Sequence, residues 1–427
     1  MPEAGQLLEQ LLDVHLLQEL TPGKYRFHDL VRAHAAHTAD GDESVGRAAL
    51  DRLPDYYRRT ATLATDVAYP YERDRRPRIP PVRTPSPTLP DPAAALEWLD
   101  CELPNLVAAA TYAAEHDRSA DLLLLSAILQ PHLGTRGPYK DAVTLYQQAL
   151  TAARATGNHA AELETLVGLG YVHRVQGRYE EATDHYRQTL HLARATGNQA
   201  AGLDALQGLG NTHLMQGRYE RAADHYRQAL QIARATGDQA VELKALTGLG
   251  HVHHLLHGAY EQAADHYQQA LQIARATGHR PGELDARIGL GHVHRAQGRY
   301  EKATDHYRQL LNFARQIGDR NYQYEAWQGL GRADHSTGHP ARALTHHRHA
   351  LALATELGQP ADQARAHDGL AQAHHALHQI EQARTHWQQA LDIFTGLGID
   401  GTEEEESSAA AVRSHLADLG PRRGTDR

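Results

Sequence analysis

Six Gly-Leu pairs, beginning at Gly168, Gly208, Gly248, Gly289, Gly329 and Gly369, recur along the chain at spacings of 40, 40, 41, 40 and 40 residues. A fixed period of this size describes a stack of like units, each burying its apolar face against its neighbours. The stretches GLGYVHRVQGRYEEATDHYRQTL (168–190), GLGNTHLMQGRYERAADHYRQAL (208–230) and GLGHVHRAQGRYEKATDHYRQLL (289–311) are near copies. The single 41 comes from an added residue in HHLLHGAYE (253–261), at a turn between helices, where insertions cost least.

Each unit resolves into two helices. Leu163, Leu166, Leu169, Gly170 and His173 form the apolar or small stripe of the first, at helical spacing. Gly177 breaks it, and the second helix carries Tyr179, Ala182, Tyr186, Leu190 and Ala193 on one face. That helix stops at Ala195-Thr196-Gly197, where glycine accepts the left-handed conformation. Asn158, Asn198, Asp238 and Asp319 follow such glycines and are placed to N-cap the next helix, and Pro360 falls where a first-turn proline is tolerated. His173 and its counterparts are read as frame residues, and His185 as a residue of the outer surface.

These residues resemble the tetratricopeptide repeat (TPR) family. Leu169 and Gly170 match its first helix, Gly177 its turn, and Tyr179, Ala182, Tyr186 and Leu190 its second-helix packing positions. A weaker copy spans 119–157 through Gly137, Tyr139, Ala142, Tyr146, Ala149 and Leu150. Two departures stand out. The helix-ending proline is replaced by Arg194, Arg234 and Arg275, so each unit runs longer than the family's usual repeat of about 34 residues. The first-helix tyrosine is replaced by His173, His213, His253, His294 and His374, and by Asp334 in the fifth unit. The resemblance implies an all-α fold, a right-handed TPR superhelix (α-solenoid) of about seven 40-residue hairpins, with the first helices lining the concave face.

The N-terminal 40 residues differ. QLLEQLLDVHLLQEL reads as a helix entering a strand, TPGK as a turn, and YRFHDLVRAHAAHTA as a strand followed by a helix. This resembles the end of the winged-helix domain of NB-ARC-type, STAND-class signal-transduction ATPases, with Phe27-His28-Asp29 standing where that family has Met-His-Asp. The resemblance implies that His28 approaches a bound nucleotide phosphate if an ATPase domain is supplied by the full-length protein. No G-x-x-x-x-G-K-[ST] phosphate loop occurs in the sequence, and its one Gly-Lys pair, Gly23-Lys24, precedes Tyr25. The expectation is the C-terminal portion of a larger regulator or a truncated homologue. Expected domains are a winged-helix remnant (1–40), a helical connector packed on it (41–68), a Pro/Arg-rich linker (69–92), a helical lead-in broken near Pro104 (93–118), the array (119–398), and a capping helix with a disordered tail (399–427). The W-L-x-x-E…N-L-V pattern of the lead-in resembles the stretch preceding the TPRs of actinobacterial NB-ARC regulators, including the Streptomyces antibiotic regulatory protein family.

Composition narrows the partners. A formal charge of −9 argues against nucleic acid or an anionic membrane, so no direct DNA binding is expected. One cysteine, Cys101, fits a reducing cytosol. The N-terminus lacks the pattern of a signal peptide, and the longest apolar run, Leu122 to Leu129, is too short to span a bilayer, so a cytoplasmic protein is expected. The Asp184-His185 pairs diverge by about 100° on a helix, which disfavours catalysis.

Among the 32 histidines, His251 and His254 with His292 one unit later invite a metal reading, but their units are set about 9–10 Å apart. A pH-responsive reading also applies, since histidine titrates near neutrality. A binding reading uses the internal copies as their own comparison. Frame positions repeat, whereas concave-face positions vary: Tyr171, Asn211, His251, His292, Arg332 and Gln372, then one turn later Arg174, Leu214, His254, Arg295, His335 and His375. The expected function is a non-catalytic scaffold, without cofactor, holding a protein or peptide in the concave groove. Its arginines and histidines suit an acidic or aromatic-bearing peptide. Within the resemblance this is the sensor arm of a STAND-type transcriptional regulator. The alternatives are a free-standing adaptor or signalling-peptide receptor, and a self-association module.

Overall fold

The computed structural model describes residues 2–21, 24–27, 31, 43–70, 87–135, 139–256, 258–397 and 408–419. They fall into two compact units, Met1–Arg178 and Tyr179–Arg427.

The first unit opens with helix α1 (Pro2–Asp13) and an antiparallel hairpin, β1 (Leu17–Thr21) and β2 (Lys24–Phe27), in which Leu17 pairs with Phe27 and Glu19 with Tyr25. His28, Asp29 and the helix expected after them lie outside the described residues, as do residues 71–86 of the linker. Helix α2 (Glu43–Ala68) was expected to pack on the N-terminal segment. Among the described residues it packs on α3 (Pro92–Glu115) and α4 (Ser119–Thr135). The fully buried Ala61 and Ala64 form a flat face that meets the leucines of those helices, and Arg58 reaches Asp121 at 2.6 Å.

Nor is the lead-in broken: α3 runs through Pro104, with Asp91 as its N-cap. Proline removes one hydrogen bond, but Leu99, Leu103, Leu106 and Ala110 are buried on both sides of it, and their packing holds the helix together. Helices α5 (Tyr139–Thr156) and α6 (His159–Val175) complete this unit.

The second unit repeats a hairpin. After α7 (Tyr179–Thr196) come α8 (Gln199–Met215) with α9 (Tyr219–Thr236), α10 (Gln239–Leu255) with α11 (Tyr260–Thr277), α12 (Arg280–Ala296) with α13 (Tyr300–Ile317), α14 (Arg320–Ser336) with α15 (Pro340–Glu356), and α16 (Pro360–Ala376) with α17 (Ile380–Gly396). Asn198, Asp238 and Asp319 cap as expected, each accepting a backbone N–H at 3.0–3.1 Å. His279 does the same through Nδ1, at 3.0 Å from the amide of Gly282. Gly237 ends α9 at φ +73, a conformation that a side chain resists. The first helices touch one another directly from hairpin to hairpin, α8 to α10, α10 to α12, α12 to α14 and α14 to α16.

The Gly-Leu-Gly signature is a pair of openings for an aromatic ring. The Tyr226 ring lies against Gly210 of its own hairpin and Gly248 of the next, Tyr267 against Gly250 and Gly289, and Tyr307 against Gly291 and Gly329. A methyl group at Gly248 would fall 2.6 Å from the Tyr226 ring. In the next pair of openings, Gly331 and Gly369, the ring is His347 instead of tyrosine. Helix α18 (Ala409–Asp418) closes the unit, burying Ala409 and Val412 with Trp387 and Phe394.

Candidate functional site

In the second unit the glycine openings carry second-helix side chains through to the face formed by the first helices. The Tyr226 hydroxyl donates to Asn211 Oδ1 at 2.6 Å. His251 sits edge-on to the Tyr267 ring, with centroids 5.6 Å apart, and His292 lies 5.9 Å from the Tyr307 ring. The floor of this face is therefore built by tyrosines that the sequence marks only as frame.

The expected residues gather on that floor. The rings of His254 and His292 are 6.1 Å apart, their planes inclined by 30°. Neighbouring side chains push His251 below the ordinary histidine value through desolvation, with His254 adding to the effect, although the residue itself stays exposed. His292 is held well below the ordinary histidine value by burial and by the nearby Arg332, Arg295, His254 and His251. His335 is lowered by burial, against the pull of Asp368. At neutral pH His292 is thus uncharged, and Arg295 and Arg332 supply positive charge beside it. Those guanidiniums beside His292 oppose a metal cation, and among the described residues no three His, Cys, Asp or Glu side chains are placed to hold one.

Sequence reasoning missed a second row. Seven residues before each variable position, nearly two turns back on the same face, stand Asp204, Lys244, Asp285, Glu325 and Arg365. Tyr322 donates its hydroxyl to Asp285 Oδ1 at 2.9 Å, and burial raises the pKa of Tyr267, with the carboxylate of Asp285 adding to the effect. Burial raises the pKa of both Asp285 and Glu325, Arg365 and Arg332 partly opposing this for Glu325. The signal was available: charged residues recur there between apolar neighbours. The charge of the face is consequently of both signs.

Tyr171 and Arg174 belong to the first unit. There the Arg174 guanidinium lies over the Tyr171 ring, 4.9 Å from its centroid. Close by in sequence, Glu164 lines a small pocket with Ser126, Gln130 and the buried Tyr146.

The frame histidines are buried as expected at His213, His294 and His374, whereas His253 is half-buried. The second-helix histidines in the position of His185 are not outer-surface residues. They turn inward and stack on the frame histidines: His225 on His213 at 5.4 Å, His266 on His253 at 5.0 Å, His306 on His294 at 5.4 Å and His386 on His374 at 5.4 Å. In the fifth unit, where Asp334 replaces the frame histidine, His346 Nδ1 approaches its carboxylate at 2.9 Å.

Comparison with known proteins places this geometry. The tetratricopeptide repeat profile matches residues 132–195, 162–235, 199–276, 241–316 and 282–356. Regulatory protein AfsR of Streptomyces griseus is 38% identical over 181 residues, which are 41% of this chain and 18% of that protein. Regulatory protein AfsR of Streptomyces coelicolor is 37% identical over 130 residues, 28% of this chain and 13% of that one. The chain thus spans less than a fifth of the length of these curated relatives. Among solved structures, aspartyl phosphate phosphatase F from Bacillus subtilis superposes with a TM-score of 0.55 at 13% identity, covering 77% of this chain and 79% of that one. The apo form of RapI gives 0.54 at 14% identity, covering 65% and 98%. A Rap protein complexed with Competence and Sporulation Factor gives 0.51 at 12% identity, covering 77% and 92%. These structures share the fold.

Proposed function

Because this chain belongs to the tetratricopeptide repeat family, we propose that it is a non-catalytic scaffold that holds a protein or peptide on the first-helix face, as the sensor arm of a STAND-type transcriptional regulator acting in the cytoplasm. The observation that carries the reading is the pairing of that face, lined by varied polar side chains, with the likeness to proteins named as regulators. Occupancy of the face would bias a nucleotide-controlled switch elsewhere in the regulator, with His28 at the nucleotide where the ATPase domain is present. Direct DNA contact by these residues is not part of the proposal, in keeping with a charge of −9.

A pull-down from native lysate tests it. The parent chain is expected to capture a partner that the combined Arg295→Ala and Arg332→Ala variant loses. Retention of every partner by the variant refutes a role for the groove. A second reading, a free-standing signalling-peptide receptor, is motivated by the Rap complex with Competence and Sporulation Factor. A coding sequence for a phosphate loop upstream of Met1 favours the sensor arm over that receptor. A third reading, self-association, is excluded by a strict monomer across concentrations in sedimentation.

A further inference from the structure

The first hairpin of the array departs from its copies at one joint, and the departures gather around a single point. Tyr146 of α5 lies against Gly168, as Tyr226 lies against Gly248. Its other neighbours differ. By the 40-residue period, Gln130 stands in the place of Gly210, and Pro131 in the place of Asn211, which takes the Tyr226 hydroxyl. Ser126 replaces Leu206, and Thr165 replaces Ala205. Ser126, Gln130, Tyr146, Glu164 and Thr165 line a cavity of about 10 Å³ between α4 and α6, room for one group the size of a water molecule.

Proline has no polar side-chain atom, and among the described residues the buried Tyr146 hydroxyl has no hydrogen-bond partner. A buried hydroxyl left unmet is costly, so a group that enters the cavity gains what Asn211 supplies to Tyr226. Glu164 lines the same cavity yet stays exposed to solvent, and so forms its mouth. Neighbouring side chains raise its pKa through desolvation, and none of the described residues lining the cavity is basic.

We propose that this cavity is a site for a primary ammonium group, seated between the Glu164 carboxylate and the Tyr146 hydroxyl, with its carbon chain leaving past Glu164 to solvent. An ammonium carries three N–H donors and no acceptor. The carboxylate takes one in a charge-assisted bond, the Tyr146 oxygen a second, and a side-chain oxygen of Gln130 or Ser126 the third. A water molecule fills the same space but brings two donors and no charge, so it leaves the carboxylate uncompensated. A quaternary ammonium has the charge but neither the donors nor the size. The site lies in the first unit and does not involve Arg295 or Arg332, so it stands or falls apart from the partner capture proposed above.

Isothermal titration calorimetry of the full chain with methylammonium chloride, at fixed ionic strength, tests the proposal. One methylammonium per chain is expected, with no comparable heat from tetramethylammonium chloride or potassium chloride. Glu164→Gln and Tyr146→Phe should each weaken binding by at least about tenfold, the worth of a hydrogen bond to a charged group. Tyr146→Phe should leave Tm unchanged or raised, because it removes an unmet hydroxyl, and this separates loss of the ligand from loss of the fold. Ser126→Leu, which takes the residue of the later hairpins, should abolish binding. A further titrant identifies the source of the ammonium. Tighter binding of Nα-acetyl-lysine methylamide than of methylammonium assigns the site to a lysine side chain of a partner, and the reverse order assigns it to a free small amine. Absence of methylammonium binding, equal heats from tetramethylammonium or potassium, or an affinity indifferent to both Glu164→Gln and Tyr146→Phe overturns the proposal.

Discussion

Glycine decides more here than its size suggests, and two glycines on first helices have opposite predicted effects. At Gly202 an added methyl meets Ala193 at 3.7 Å, an ordinary contact, so Gly202→Ala should stabilise by up to about 1 kcal/mol through helix propensity. At Gly248 the same methyl runs into the Tyr226 ring, and Gly248→Ala should cost about 1–3 kcal/mol. Urea midpoints of the two variants check the pair, and a shift of the same sign in both contradicts the account.

The stacked histidines give a second prediction at this scale. Burial is the first cause that lowers His213, His225, His253, His266 and His294, and it takes His306 to about 4. The folded state therefore favours the neutral ring, while the unfolded chain takes up protons first, near pH 6.5. Stability is full above that value and falls as pH drops from about 6.5 toward 4. Melting temperatures should decline from about pH 7.5 to about pH 5, and an unchanged Tm would sink the idea.

The elements were the part most legible in the sequence. Caps, turns and helix faces follow from local chemistry, and Asn198, Asp238 and Asp319 sit where a reader of the sequence places them. Asp238→Ala should cost about 1 kcal/mol in thermal or urea unfolding, the loss of a hydrogen bond to the Val241 amide. What failed were statements about which element meets which. Pro104 predicts a break because its local penalty is visible, whereas the burial of Leu99 and Leu106 that overrides it is tertiary. The sequence places His185-type residues outward because one helix alone does not say which way its polar side chain turns. The stack on the frame histidine is a contact across two helices. The candidate site was half legible for a related reason. Variation among the copies singled out His251, His292, Arg295 and Arg332, but the tyrosine floor exists only because glycine openings admit rings from the second helices.

Across the second unit, stability is distributed between neighbours and not gathered in one core. The last hairpin has no following repeat among the described residues, and α18 takes that role: Ala409 and Val412 cover Phe394 and Trp387, whose Nε1 donates to Asp368 at 2.9 Å. The Gly-Leu-Gly segments at 208–210, 248–250 and 289–291 each accept a tyrosine ring on both sides, so the joints between those hairpins are interchangeable. Excision of residues 208–247 would bring Tyr186 to the opening at Gly248 in place of the one it faces at Gly208. The shortened chain should retain its helical signal per residue and unfold cooperatively, which circular dichroism would report, and a molten product contradicts it. A recombination event that gains or drops one period in the gene then yields a foldable product immediately. The reach of the first-helix face is, on this view, a heritable length that selection adjusts in whole units, without first having to redesign a core.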